Sequence, residues 1–233
     1  MPGNPRPAAQ EQLIRLYLRL NGYFYSGFIA HSTDSGCVIT ELDTLAVRFP
    51  RHAEPEREIR DDPYLKPSRT YLDLVICEAK SGGQVPEFNQ ALGTSSDAVG
   101  SVLRRAGMFS TREIRALVRP VMEMLAASVP PKPSFIPRAY APEILSLRKI
   151  RIRGFLFSPE RLTPQPNEPW FIGEKQLFRF ITSCLRPSQL RPTCADNYGA
   201  GQWAEMAEMV RYFKQLPRGS VGTITGLYAA MKI

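Results

Sequence analysis

Two strand-like segments carry acidic groups where a chain built only for stability would place apolar ones, and this constrains the fold more than any other feature of the sequence. In Thr40-Glu41-Leu42-Asp43-Thr44-Leu45-Ala46-Val47 an alternation of period two puts Glu41 and Asp43 on one face with Leu45 and Val47. The same rule applied to Leu74-Val75-Ile76-Cys77-Glu78-Ala79-Lys80 puts Glu78 and Lys80 on the face of Leu74 and Ile76. A carboxylate on a buried face needs a compensating cation, because an unpaired charge in a dry site costs several kcal/mol. If the two strands are neighbours, Asp43 and Glu78 could share one or two Mg²⁺ (or Mn²⁺) ions, with Lys80 in reach of the same point.

Around these segments the chain reads as an alternation of helices and strands. A Pro-rich tail, residues 1–10, precedes an amphipathic helix over 11–21 that stops at Gly22. Strands over 23–31 and 37–49 are joined by a turn at 32–36, and residues 50–70, charged and Pro-punctuated, predict a long loop or lid. A strand over 71–79 ends in the turn Lys80-Ser81-Gly82-Gly83. Helices follow over 97–106 and, behind the capping box Ser110-Thr111-Arg112-Glu113, to about residue 127, bent or interrupted at Pro120. A Pro-rich stretch, 129–142, predicts a linker; a strand over 147–157 and helices over 174–185 and 201–216 complete the chain. That order predicts an α/β sandwich with a mixed sheet.

The segments with Asp43 on one strand and Glu78-x-Lys80 on the next resemble the PD-(D/E)xK nuclease superfamily, the carriers being Glu41-Leu42-Asp43-Thr44-Leu45-Ala46 and Cys77-Glu78-Ala79-Lys80-Ser81. Glu11, Tyr17-Leu18 and Gly22-Tyr23 are similar in spacing to the N-terminal helix of its Holliday-junction-resolvase-like branch. No Pro precedes Asp43, and residues 50–70 stand as an insertion between the two motifs. The resemblance implies a restriction-endonuclease-like mixed central sheet flanked by helices over 11–128, with a basic α/β C-terminal part, 143–233, as an extension or packed on the same core. It also implies hydrolysis of a phosphodiester. Asp43, Glu78 and the carbonyl of Ala79 would hold Mg²⁺, and Lys80 would orient or deprotonate water and stabilise developing charge. Glu11 and Glu41 are further candidates, for another metal or for holding Lys80. The alternative at these positions is a surface cross-strand ion pair among Asp43, Glu78 and Lys80.

Charge divides along the chain. Residues 1–100 hold 10 Lys or Arg against 13 Asp or Glu, a net −3, and residues 101–233 hold 20 against 9, a net +11. A basic surface recruits a polyanion, and DNA is the expected partner. Lys149, Arg151 and Arg153 alternate with Ile150 and Ile152 and would space three cations about 6.6 Å apart on one strand face; a solvated edge strand is the other reading. Arg112, Arg115 and Arg119 form a helical stripe that would meet phosphates or only water. Trp170, Phe171, Trp203, Tyr212 and Phe213 could stack on bases but read better as core. The four cysteines form no C-x-x-C, and Cys37 and Cys77 read as buried thiols. Neither a membrane span nor a signal sequence is expected, which suggests a cytoplasmic protein; a homodimer is compatible. Beside a nuclease, a catalytically inactive nucleic-acid adaptor and a protein-interaction module remain open readings.

Overall fold

The computed structural model describes residues 4–31, 38–55, 57–126, 143–145, 149–164, 170–186 and 203–233. The expected linker, 129–142, the turn at 32–36 and Cys37 lie outside them.

Helix α1 (Arg6–Leu20) starts five residues before the expected 11, so part of the anticipated tail is helical. Pro5 caps it and Pro7 falls in its first turn, where no intrahelical N–H is required. Early onset brings Ala9 and Gln10 into buried positions. Gly22 ends the helix as expected, at φ +78°, where a Cβ would meet the His52 ring.

The chain then forms β1 (Phe24–His31), β2 (Val38–Arg48) and β3 (Leu72–Ala79), consecutive antiparallel neighbours. Helices α2 (Gln90–Thr94), α3 (Ser96–Ala106) and α4 (Thr111–Ala126) follow. The capping box is closed as predicted, Ser110 N donating to Glu113 Oε2 at 2.7 Å, and α4 runs on through Pro120. Next come β4 (Glu143–Leu145), β5 (Ile150–Ser158) and β6 (Ile172–Gly173), then α5 (Glu174–Leu185), α6 (Ala207–Gln215) and α7 (Ile224–Met231). The short α2, β4, β6 and α7 were not anticipated; elements of two to eight residues carry too little periodicity to be read.

The sheet is mixed, ordered β1-β2-β3-β5-β4, with β6 beside the far end of β5. Strand β5 runs parallel to β3, so the crossover between them passes through the helices on one face. That face packs Leu42, Leu45, Leu74, Ile76 and Ile152 against α2, α3 and α4. The opposite face packs Ala46, Val75, Cys77, Phe155 and Phe157 against α1, α5, α6 and α7. Two apolar layers thus enclose one sheet. The basic C-terminal part is therefore no extension: β5 is the inner neighbour of β3, and its helices share the core with α1.

The stretch between β2 and β3 is a long loop, as predicted, but it is no lid over the carboxylates. It joins the strands at the Arg48–Asp73 end of the ladder, whereas Asp43 and Glu78 lie beyond the Thr44–Cys77 end. Five residues of strand, roughly 16 Å, separate Asp73 from Glu78. The loop is pinned there: Leu65 is fully buried, Asp62 N donates to Asn21 Oδ1 at 2.8 Å, and Arg57 pairs with Asp61.

Candidate metal centre

Register, more than composition, builds this site. Ser26 pairs with Leu45 and Phe28 with Leu42, so Asp43 and Thr44 together face the single residue Gly27. This is a β-bulge, which shifts the phase of alternation by one residue. Leu42 and Leu45, three apart, consequently share the α2–α4 face. The expectation that Glu41 and Asp43 share a face with Leu45 and Val47 fails for that reason: period two does not survive an inserted residue. The bulge turns the Asp43 carboxylate toward β3, where Oδ2 accepts the Ala79 N–H at 2.7 Å just past the last ladder pair.

On β3 the alternation holds. Leu74 and Ile76 enter the α2–α4 layer, and Glu78 follows them into a position only 4% exposed. Lys80 Nζ donates to Glu78 Oε1 at 2.9 Å, while Glu78 Oε2 is buried with no hydrogen-bond partner. Burial above all, and then the charge of Asp43, push the Glu78 carboxyl up from 4.5 to about 7, against weaker opposing pulls from Lys80 and the Asn89 amide. Burial likewise raises Asp43, opposed by the Ala79 hydrogen bond and Lys80. Asp43, Glu78 and Lys80 are thus brought together, and the ion pair between Glu78 and Lys80 is not a surface one.

Glu11 and Glu41 stand beside this pair without joining it. Glu11 Oε2 is held by Arg15 Nη2 at 3.0 Å, and both acids line an open cavity of about 390 Å³ with Arg15, Gly27 and Glu205. Asp43, Glu78 and Lys80 do not line that cavity. Burial first and Asp43 second raise the Glu11 carboxyl, and Arg15 holds it down. Among the described residues no group of three or more His, Cys, Asp and Glu side chains converges. Asp43 and Glu78 nevertheless fit a hard cation in kind: Mg²⁺ is commonly held by one or two carboxylates with water completing its shell, and Glu78 Oε2 has lone pairs to spare.

Two residues around the site carry signals in the sequence that strand alternation does not read, and a third, Glu160, carries none. Arg15 stands four residues after Glu11, a helical ion-pair spacing, and Gly27 interrupts an apolar strand, a mark of a bulge. Glu160 Oε2 accepts the Gly82 N–H at 2.7 Å and its Oε1 accepts from the Tyr228 hydroxyl at 3.0 Å, bracing the turn after Lys80. Glu160 had no local signal, since its partners lie 78 and 68 residues away.

The basic strand is placed differently from expectation. Strand β5 is internal, and its cations face the loop between β2 and β3. Arg153, 3% exposed, and Arg151 both pair with the buried Asp73, which also accepts the Tyr23 hydroxyl at 2.6 Å. Arg151 and Arg153 further donate to the carbonyls of Lys66 and Leu65. These two arginines are therefore structural, neither phosphate contacts nor a solvated edge; Lys149, just before the strand, is exposed. The stripe Arg112, Arg115 and Arg119 is exposed as predicted, with Arg119 paired to Glu123 at 2.8 Å. Phe171, Trp203 and Phe213 are core, and Trp170 stacks on Tyr64. Cys77 is a buried thiol, pushed up by desolvation.

No helix among the described residues is long and apolar enough to cross a membrane. No family model, no curated protein and no solved structure matches the chain.

Proposed function

We propose that this protein is a divalent-metal-dependent nuclease of restriction-endonuclease-like fold, hydrolysing phosphodiester bonds of DNA. The observation that carries the reading is the buried Glu78 carboxylate, one oxygen on Lys80 and the other with no closed hydrogen bond and only a weak pull from the Asn89 backbone N–H, beside the second carboxylate of Asp43. Such a pair at neutral pH needs a shared proton or a cation. Asp43 and Glu78, with the Ala79 carbonyl, would hold Mg²⁺ or Mn²⁺. The bound ion would supply charge neutralisation at the phosphate and a more acidic water. Lys80, fixed by Glu78, has its ammonium at the same point, where it orients an attacking water and offsets negative charge growing on the phosphoryl oxygens. The brace from Glu160 to Gly82 holds the turn that follows Lys80.

The test is incubation with plasmid, linear duplex, single-stranded and branched DNA plus Mg²⁺ or Mn²⁺, beside Asp43→Ala and Asp43→Asn. Cleavage that requires metal and is lost in both variants is the expected result. Activity surviving Asp43→Ala would sink the assignment, and salt-dependent DNA binding without hydrolysis would instead identify an adaptor.

A further inference from the structure

The Arg15 guanidinium sits where the acidic side chains from α1 and β2 meet. Arg15 Nη2 donates to Glu11 Oε2 at 3.0 Å and to the Asp43 carbonyl at 3.0 Å. That carbonyl also accepts the Thr44 hydroxyl at 2.7 Å. Gly27 makes the approach feasible, because a Cβ there would lie 2.9 Å from Arg15 Nη2 and 2.8 Å from the Asp43 oxygen. The bulge opposite Gly27 interrupts the β1–β2 ladder at this carbonyl, leaving it available to a side chain. Glycine, bulge and arginine therefore make one arrangement, and Glu11, Glu41 and Asp43 all contribute negative potential to it.

We infer that Arg15 is the built-in cation of this cluster: it takes the place a second divalent ion would otherwise occupy, so the chain has a single-ion centre at Asp43 and Glu78. The inference rests on the reading of Asp43 and Glu78 as metal ligands. It makes Arg15 a positioning residue, which holds Glu11 away from the ion and ties α1 to the bulge. A guanidinium supplies a permanent charge and two directed hydrogen bonds, and unlike a metal it cannot dissociate.

Mn²⁺ binding to the full chain, counted by titration calorimetry and by the paramagnetic resonance signal of the free ion, tests this without reference to cleavage. Wild type is expected to bind one equivalent, Arg15→Gln two, and Arg15→Gln with Glu11→Gln one again. Glu11→Gln alone, at a side chain 27% exposed and held by Arg15, should leave the wild-type affinity unchanged within about threefold. Two equivalents in wild type, one in a folded Arg15→Gln, or a tenfold weakening in Glu11→Gln would each overturn the inference. If wild type binds no Mn²⁺, the metal assignment of Asp43 and Glu78 fails; Arg15→Gln going from none to one would then still uphold Arg15 as the resident cation, and its staying at none would not.

Discussion

On the proposed reading, Glu78 is the residue at which stability and function oppose each other. Its carboxyl titrates near 7 in the folded chain and near 4.5 when exposed, so between these values the folded state holds the extra proton. Stability must then fall as pH rises through that window, by up to about 3 kcal/mol, the equivalent of the shift. Glu78→Gln should flatten the dependence of melting temperature on pH between 5 and 7 and melt above wild type at pH 7.5. Mg²⁺ should raise the wild-type melting temperature at pH 7.5 and leave Glu78→Gln unmoved. A wild-type profile that is flat over the same range would contradict the burial of an ionisable pair here. Glu78 and Lys80 were legible from alternation alone, because β3 has no irregularity; Asp43 was legible as a residue but not in its direction, which the bulge decides.

At the scale of elements, the two candidate cationic surfaces separate cleanly. Helix α4 buries Ile114, Val121, Met124 and Leu125 and leaves Arg112, Arg115 and Arg119 in solvent. An exposed pair such as Arg119–Glu123 contributes little to stability, so these side chains are free to meet phosphates. Replacing all three by Ala should leave the melting temperature within a degree or two. If the stripe grips duplex DNA, the slope of log affinity against log salt should fall by roughly 0.9 per lost contact, close to 3 in all. An unchanged slope would assign the stripe to plain solvation. Helical periodicity made this face readable, since i, i+3 and i+7 spacing needs no knowledge of neighbours. The cations of β5 obeyed their local pattern equally well, yet alternation cannot say whether a strand lies at the edge or inside.

For the whole molecule, Asp73 is the fastening between the long loop and the sheet. Arg151, Arg153 and Tyr23 converge on its carboxylate, and the same two arginines reach the loop carbonyls of Leu65 and Lys66. Asp73→Asn would take the carboxylate charge away from the buried Arg153 guanidinium, a loss of about 3 to 5 kcal/mol that should be visible as a lower urea midpoint. A loss under 1 kcal/mol would mean that the loop does not depend on this cluster. The split of charge, −3 before residue 100 and +11 after, therefore overstates the basic surface, because part of the later charge is neutralised inside the fold by an acid from the earlier part. The sequence by itself determined the class of fold, the strands bearing Asp43 and Glu78 with Lys80 just past the second, the capped helices and the exposed arginine stripe, since each follows from short-range periodicity or from turn chemistry. Tertiary structure alone decided that β5 is internal, that Arg151 and Arg153 serve Asp73, that the loop lies at the far end from the carboxylates, and that Arg15 reaches the Asp43 carbonyl at the bulge. Each of those depends on which distant segments pack together, and a charge takes its role from the partner it meets there.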